Sequence, residues 1–256
     1  MATFKLIRAD QILIDPPVQR KLRKTWVKWL ADNFDEGSLG NLTVSLRSNG
    51  KYYAVNGQHR IEAVIMRGEH ARKLPCVIHE GLTKAEEASM FVGLNNDKTV
   101  DPFDEFQVRL LIPGDSARAI DKIIQEAGMK VTVGGTRNGV RCVNALEAIY
   151  DQSPDLLAET LAVVTAAWTP EDVVHLLAAT YTGIALFLRV AGEGTRPVKL
   201  DRVIGVLQHF TPYQWAAKYK EKAAQYGCNH AKGCVYAIIE GYNKGLSSGK
   251  LARYDG

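Results

Sequence analysis

The stretch that most constrains the fold runs from Tyr52 to Met66. Tyr52 to Asn56 is rich in aromatic and β-branched side chains, which is typical of a strand, and Ile61 to Met66 place apolar residues on one face of a helix. Gly57 stands between the two segments, and a glycine there allows the sharp turn from strand to helix. The sequence therefore predicts a strand, a glycine turn and a helix N-terminus in immediate succession.

The turn has the chemistry of a phosphate site. The backbone N–H groups of Gln58, His59 and Arg60 point out of the predicted helix N-terminus, where hydrogen bonds and the helix dipole both favour an anion. Arg60 adds a planar fork that matches phosphate, and His59 can donate a hydrogen bond or transfer a proton near neutral pH. On this pattern alone, a capped helix with solvated charges is an equally good interpretation.

Composition indicates an ordinary globular protein. The 256 residues are 46% hydrophobic and 23% charged, with a net charge of +4, which permits a polyanionic partner without requiring one. No apolar run reaches the roughly 18 residues that cross a bilayer, and the first residues lack the apolar stretch of a signal peptide. Four scattered cysteines do not form a disulfide scaffold. We expect a cytoplasmic protein that has no membrane partner.

The first half of the chain is predicted to mix strands and helices. Apolar and aromatic residues at helical spacing, Trp26 and Trp29 among them, predict an amphipathic helix over 21–34 whose aromatic side chains are core rather than a base-stacking surface. Asn49-Gly50 predicts a tight primed turn in a hairpin. Further elements are predicted as strands at 6–14, 42–47, 52–56 and 74–80, and as helices at 83–94, from 101, and at 116–127.

The second half reads as helical after a short hairpin. Two β-rich segments around a glycine-rich tip predict a second hairpin over 130–143. Helices are then predicted at 145–150, 156–168, 170–190, 200–210, 212–226 and 234–242. The fold class is α+β, with a small mixed-sheet domain over 1–128, an all-helical domain over 129–256 and a short β-hairpin at their junction.

The order of elements and their residues resembles the N-terminal domain of the ParB and sulfiredoxin superfamily, particularly the ParB-like nuclease domains of bacteriophage proteins. The matching features cover roughly the first half of the chain, and the turn Gly57 to Arg60 in its strand-turn-helix context is the most specific of them. The others are Val18-Gln19-Arg20, Asn49-Gly50, the strand 74–79, the helix 83–94, Asn95-Asn96 and Asp101 to Glu105.

The resemblance implies that nucleotide or nucleic-acid phosphate binds at this turn. Members use the turn for sulfinic-acid reduction with ATP, serine phosphorylation with ADP, CTP-switched clamping on DNA, or nuclease activity. Sulfiredoxins have a cysteine where this chain has Gln58, and many members have an aspartate where it has Asn56. The partition proteins have a different basic turn and a later motif that Asn95 to Lys98 does not match. Reductase chemistry and a CTP clamp are therefore not expected.

The candidate site residues follow from the turn and the resemblance. The phosphate-binding candidates are Gly57, Gln58, His59, Arg60, Gln19, Arg20, Asn95 and Asn96. A nuclease or phosphotransferase also needs a positioned base, often with a divalent ion held by carboxylates. The catalytic candidates are His59, Glu62 and Asp97, followed by Asp101. Glu62 has an alternative role as a first-turn residue that interacts with the helix dipole.

Basic residues outside the turn are candidates for nucleic-acid contacts. They are Lys21, Arg23, Lys24, Arg137, Lys218 and Lys222. Solvated charges are the alternative, and Trp215 and Tyr219 nearby are better explained as helical core than as base-stacking groups. Cys228, His230 and Cys234 lie close together, but structural zinc needs a fourth ligand, so no metal site is predicted.

Three functional hypotheses remain open. The leading one is a phage-type ParB-like protein that binds nucleotide or DNA phosphate at the Gly-Gln-His-Arg turn and acts on DNA as a metal-assisted nuclease. The second is a nucleotide-dependent, kinase-like phosphotransferase, and the third is a non-catalytic DNA-binding or protein-binding module. The expected partners are DNA and a nucleotide, and the expected cofactors are Mg²⁺ and ATP or another nucleotide.

Overall fold

A computed structural model of the chain shows two compact units, Met1–Arg118 and Ala119–Gly256. The structure describes residues 2–37, 39–95, 101–132, 136–193, 198–252 and 254. The units divide within a helix, whereas the predicted boundary at 128 places that helix wholly in the first unit. No helix in the described part of the chain is long and apolar enough to cross a membrane.

A five-stranded mixed sheet organises the first unit. Its strands are β1 (Thr3–Arg8), β2 (Ile12–Leu13), β3 (Leu42–Leu46), β4 (Tyr52–Asn56) and β5 (Lys73–Glu80). They lie in the order β1-β5-β3-β4-β2. The β1–β5 and β3–β4 pairs are antiparallel, and the β3–β5 and β2–β4 pairs are parallel. The predicted mixed sheet is therefore confirmed.

The first hairpin has a longer loop than predicted. β3 and β4 are joined through a turn in which the Gly50 N–H donates to the Arg47 carbonyl at 2.9 Å and the Arg47 N–H donates to the Lys51 carbonyl at 3.1 Å. Gly50 has φ of +73°, and Asn49 has no positive φ. Both primed two-residue turns need a positive φ at their first central residue, which Asn49 does not have, so this is a three-residue loop closed by a left-handed glycine.

Helices α1 to α5 complete the first unit and lead into the second. They are α1 (Lys24–Asp32), α2 (Gln58–Met66), α3 (Lys84–Asn95), α4 (Pro102–Arg109) and α5 (Ser116–Glu126). The capping box predicted before α3 is present, because Thr83 and Glu86 hydrogen-bond each other's backbone N–H groups. α1 begins later than the predicted Lys21, since the backbone at Gln19 and Arg23 is extended.

The assignment of the α1 tryptophans to the core was wrong. Val27 and Ala31 are the buried residues of α1, and they pack against Ala63 of α2. Trp26 and Trp29 are 44% and 51% exposed and stack on each other. The apolar stripe of a helix needs residues three or four positions apart, and Val27 with Ala31 fulfils that requirement without either indole.

The predicted second hairpin is a parallel pair. β6 (Lys130–Val131) and β7 (Gly139–Val140) run in the same direction. Asn138 has φ of +57°, and its N–H donates to the Pro170 carbonyl at 2.8 Å. This contact turns the chain before β7, so β7 starts beside the beginning of β6 instead of returning antiparallel. Part of the predicted glycine-rich tip, 133–135, lies outside the described residues.

The rest of the second unit is helical, as predicted. Its helices are α6 (Val143–Tyr150), α7 (Pro154–Ala167), α8 (Pro170–Val173), α9 (Ala178–Glu193), α10 (Leu200–Gln208), α11 (Pro212–Tyr226) and α12 (His230–Asn243). The single helix predicted over 170–190 is two helices, because hydrogen bonds from residue i to i−3 replace the α-helical pattern at His175 and Leu176. Trp215 and Tyr219 are fully buried, which agrees with their interpretation as core.

Candidate phosphate-binding site

Gly57 makes the joint on which the site is built. β4 ends at Asn56 and α2 begins at Gln58, with φ of +106° and ψ of 12° at the glycine between them. A Cβ at this position would lie 2.3 Å from Leu42 Cδ2, which is closer than van der Waals contact permits. Both the left-handed backbone and the close approach of Leu42 therefore require glycine.

A pocket of about 280 Å³ opens beside this joint. Its lining residues are Gln19, Arg20, Trp26, Leu30, Asn56, Gly57, Gln58, His59, Arg60, Phe91 and Asn95. Seven of the predicted phosphate-binding residues are among them. The eighth, Asn96, lies outside the described residues. Segments far apart in sequence, before α1, at the start of α2 and at the end of α3, thus meet around one cavity.

The N-terminus of α2 presents two backbone donors rather than the predicted three. The Arg60 N–H donates to the Gly57 carbonyl at 2.9 Å. No side chain caps this helix, and no described residue accepts from the N–H groups of Gln58 or His59. Because these two amides occupy the first turn, they retain donor capacity at the positive end of the helix dipole.

Arg20 supplies a positive charge to the pocket. Its side chain is half-buried, and within the described part of the chain it has no ion pair or hydrogen bond. Burial is the main cause that lowers the pKa of the Arg20 guanidinium, and Arg23 adds to the effect while Asp104 opposes it. A guanidinium that is partly desolvated and makes no hydrogen bond or close ion pair in the described structure can still bind an anion strongly, although Asp104 is nearby.

Arg60 lines the pocket, but part of its guanidinium is engaged outside it. Its Nη1 donates to the carbonyl of Leu39 and, at 3.3 Å, to the carbonyl of Asn41. Nη2 lies 3.1 Å from where a Cβ on Gly57 would stand, so the guanidinium covers the joint. Burial lowers the pKa of Arg60. Arg60 therefore fixes the loop before β3, while Arg20 occupies the position of the free cation.

The ring of His59 accepts a backbone hydrogen bond and is not placed to act as a base. Its side chain is buried, and Nε2 accepts the Arg23 backbone N–H at 3.0 Å, so the proton of the neutral ring lies on Nδ1. Burial, followed by the charges of Arg20 and Arg23, lowers the pKa of His59 to about 4. The only basic nitrogen of the neutral ring is thus occupied, which is contrary to the expected general-base role.

Four amide side chains, Gln19, Asn56, Gln58 and Asn95, form the remaining polar lining. Gln19 Nε2 donates to the carbonyls of Ala54 and Val55 at 2.9 and 2.8 Å, which fixes the segment before α1 on β4. Asn95 Nδ2 donates to the Phe91 carbonyl at 2.6 Å. Gln58 is 9% exposed, and its Oε1 is buried without a hydrogen-bond partner among the described residues. Gln19 and Asn95 therefore use their amide donors in positioning the pocket walls.

The two described carboxylates among the catalytic candidates, Glu62 and Asp101, do not line the pocket. Glu62 lies on α2 and is absent from the described lining. Asp97 lies outside the described residues, and Asp101 caps α4 by accepting the Phe103 N–H at 3.0 Å. The described lining carries cations and amides but no carboxylate, whereas Mg²⁺ prefers carboxylate oxygens. These residues do not fit a magnesium ion. No group of three or more metal-binding side chains occurs in the described part of the chain.

The predicted nucleic-acid residues divide into two groups. Lys21, Arg23 and Lys24 of the first unit are exposed. Those of the second unit are paired with acids: Arg137 with Glu171 at 3.0 Å, Lys218 with Glu240 at 3.6 Å, and Lys222 with Glu240.

Lys222 was wrongly assigned to a nucleic-acid surface. Its side chain is buried, and Nζ also donates to Gln225 Oε1 at 3.0 Å. The bond to Glu240 raises the pKa of Lys222. An ammonium held between these two groups is not presented to a phosphate backbone.

Four lining residues were not predicted as site residues. They are Trp26, Leu30, Asn56 and Phe91. Asn56 was noted only because related sequences carry aspartate there. Trp26 had a usable signal, since an aromatic residue directly after a basic run is a feature of nucleic-acid surfaces. For Leu30 and Phe91, helical spacing pointed to the core, and sequence offers nothing that distinguishes a pocket wall from a core contact.

A family model and a solved structure are similar to this chain. The model with the description "Family of unknown function (DUF6551)" matches residues 16–252. No curated protein matches. The solved structure is the C-terminally truncated chromosome-partitioning protein ParB from Caulobacter crescentus, complexed with CTP-gamma-S. It is 12% identical, with a TM-score of 0.33 over 79% of this chain and 92% of that one. A TM-score this low does not establish a shared fold or ligand.

Proposed function

Since the chain belongs to DUF6551, a family of unknown function, we propose its function from the pocket itself: the first unit binds a phosphate group of a nucleotide or of DNA. The observation that carries this proposal is Arg20, a half-buried guanidinium that makes no hydrogen bond or close ion pair with a described residue, in the same pocket as the N-terminus of α2. A cation and two backbone donors that converge on one cavity favour a compact anion.

The polar groups of the pocket match the acceptors of a phosphoryl group. The Gln58 and His59 N–H groups, the Nδ1–H of His59 and the Arg20 fork are all donors. No carboxylate in the described lining opposes them. A phosphoryl group carries several acceptor oxygens and a negative charge, so it can accept from all of these donors at once.

The size of the cavity supports a small group. Its 280 Å³ lies at the lower limit of ligand pockets, which usually occupy about 300–1,000 Å³. A phosphate with part of its sugar fits this volume, whereas a whole nucleoside triphosphate would extend beyond it. The pocket is therefore suited to one phosphate of a larger molecule.

Binding without chemistry is the hypothesis that the described lining supports best. Nuclease and phosphotransferase reactions need a base near the phosphate. His59 accepts a backbone hydrogen bond at the nitrogen that would act as that base, and Glu62 does not line the pocket. The metal-assisted nuclease and the kinase-like phosphotransferase therefore rank below a non-catalytic phosphate-binding module.

Substitution of Arg20 tests the proposal. We expect Arg20→Ala to lower the affinity for nucleotides and DNA oligonucleotides about tenfold or more, because a charge-assisted hydrogen bond is lost. Arg20→Lys keeps the charge but not the fork, so its affinity should be intermediate. Calorimetric titration with ATP, CTP and a DNA oligonucleotide measures both variants.

Arg118→Ala is the matched control. Arg118 is exposed and does not line the pocket, and its removal changes the net charge by the same amount. Its affinity should equal that of the unchanged protein. If Arg20→Ala bound every ligand as tightly as Arg118→Ala does, the proposed site would be wrong.

A further inference from the structure

Two exposed indole rings lie beside the phosphate pocket. Trp26 and Trp29 of α1 are stacked with ring centroids 4.7 Å apart and planes inclined by 5°. Trp26 lines the phosphate pocket, and Trp29 lines a second cavity of about 100 Å³ that shares Leu30 and Arg60 with it. Together they form a contiguous exposed aromatic patch at the edge of the pocket, and such patches can mark ligand-binding sites.

Trp26 has one ring face available to a ligand. Trp29 covers the opposite face and is not part of the phosphate-pocket lining. The surface that Trp26 presents to the pocket is therefore its other face or its ring edge, and an aromatic group can stack on the first or pack edge-on against the second. A flat ring bound there would extend the existing indole stack.

Unpaired positive charge continues along the same segment. Lys21, Arg23 and Lys24 are exposed, and in the described part of the chain none of them forms a close ion pair. Asp104 lies near them: it accepts a backbone hydrogen bond from Lys21 and interacts with Arg23, so one acid stands against these three cations and Arg20. Lys28, one turn further along α1, pairs with Asp32 at 2.8 Å. The positive charge is thus concentrated at the pocket end of α1 and exceeds what one phosphate needs, which favours a polyanion.

From these features we propose that the pocket and the basic segment beside it, Lys21 to Trp26, together bind single-stranded nucleic acid. One unpaired base packs against Trp26, and one phosphate lies at Arg20 and the N-terminus of α2. The inference rests on the proposed phosphate-binding function and adds the identity of the ligand. In a duplex the bases are stacked on each other inside the helix, so only an unpaired base can reach Trp26.

The test compares ligands that separate the base from the phosphate. Fluorescence anisotropy of the full chain is measured with an oligothymidylate about 12 nucleotides long, an abasic strand of equal length, the matching duplex and free thymidine monophosphate. The variants are Trp26→Ala, Trp26→Phe, Arg20→Ala and the matched control Trp29→Ala, which removes an equally exposed indole outside the phosphate pocket.

We expect Trp26→Ala to weaken binding of the oligothymidylate roughly tenfold while leaving the abasic strand unaffected, because only stacking is lost. Trp26→Phe should retain most of the affinity, and Trp29→Ala should lose less than Trp26→Ala. Arg20→Ala should weaken binding of both strands. Chemical denaturation of each of the four variants verifies that its substitution leaves the fold intact.

The remaining outcomes distinguish the two proposals. Equal affinity for the oligothymidylate and the abasic strand, or an equal loss for both in Trp26→Ala, overturns the stacking inference and leaves phosphate binding in place. If the duplex or free thymidine monophosphate bound as tightly as the single strand, single-stranded nucleic acid would not be the preferred ligand and this inference would be wrong. If Arg20→Ala bound the strands as tightly as the unchanged protein, the proposed phosphate site, on which the inference depends, would be wrong.

Discussion

His59 and Arg60 are adjacent in sequence, yet their side chains serve different neighbours. Arg60 reaches back to the carbonyls of Leu39 and Asn41, and His59 accepts the backbone N–H of Arg23. Both contacts fix a loop against the start of α2, and both reduce what the side chain offers a ligand. Arg20, which is free of such contacts in the described structure, remains available as the cation of the site.

The burial of His59 predicts a pH-dependent stability. The pKa of His59 is lowered from 6.5 to about 4, so between these pH values the unfolded chain binds a proton that the folded chain excludes. The free energy of unfolding should therefore fall as the pH falls through this window, by at most about 1.4 kcal/mol per pH unit. Above pH 6.5 both the folded and the unfolded chain hold His59 neutral, so the folded state keeps its full stability with respect to this residue.

Urea denaturation without ligand at several pH values measures this dependence. His59→Gln cannot titrate, so the variant should show a smaller slope than the unchanged protein across the same window. Identical slopes in the two proteins would mean that His59 does not hold a depressed pKa.

At the scale of elements, one buried ion network fixes the helix that forms a wall of the pocket. Arg47, directly after β3, donates from Nε to Glu87 Oε1 at 2.8 Å and from Nη2 to Asp15 Oδ2 at 2.7 Å. Glu87 lies on α3 and is 1% exposed. Because α3 also carries Phe91 and Asn95, this network holds the far wall of the pocket against the sheet.

Removal of one partner from this network should be costly. We expect Glu87→Ala to lower the free energy of unfolding by about 2 kcal/mol, because the partly buried Arg47 guanidinium loses two charge-assisted hydrogen bonds and keeps Asp15 as its carboxylate partner. Asp32→Ala breaks the exposed Lys28–Asp32 pair and should cost no more than about 0.5 kcal/mol. Denaturant titration of both variants measures the difference, and equal losses would show that the network contributes no more than a surface pair.

At the scale of the whole molecule, the two units contribute unequally to the proposed function. Every described pocket residue lies between Gln19 and Asn95, inside the first unit. In the second unit, the basic residues predicted to contact nucleic acid are paired with acids, and Trp215 and Tyr219 are buried. The features that favour a nucleic-acid ligand are thus concentrated in the first unit.

This concentration predicts that a fragment of residues 1–128, which keeps α5 whole, folds and binds the oligothymidylate with an affinity within a few-fold of the full chain. Circular dichroism and the same anisotropy titration measure both properties. A fragment that folds but does not bind would show that the second unit supplies part of the ligand site.

The sequence alone determined the elements whose signals are local. Gly57 between a β-rich run and an amphipathic run specified the strand-turn-helix joint, and the capping box at Thr83 and the proline after Asp101 specified two helix starts. The fold class agrees with the sequence prediction. Seven of the candidate residues line one pocket, and their role in binding phosphate stays a prediction. Backbone conformation and capping depend on neighbours within a few residues, so a sequence contains their physical cause.

Only the tertiary structure decided which polar atoms remain available to a ligand. The Arg23 N–H that occupies His59 and the carbonyls that engage Arg60 come from segments about twenty to forty residues away, and no local pattern encodes them. The same holds for Trp26, whose helical spacing fits a core stripe as well as a surface. Val27 and Ala31 fill the space against Ala63, and this packing leaves both indole rings exposed.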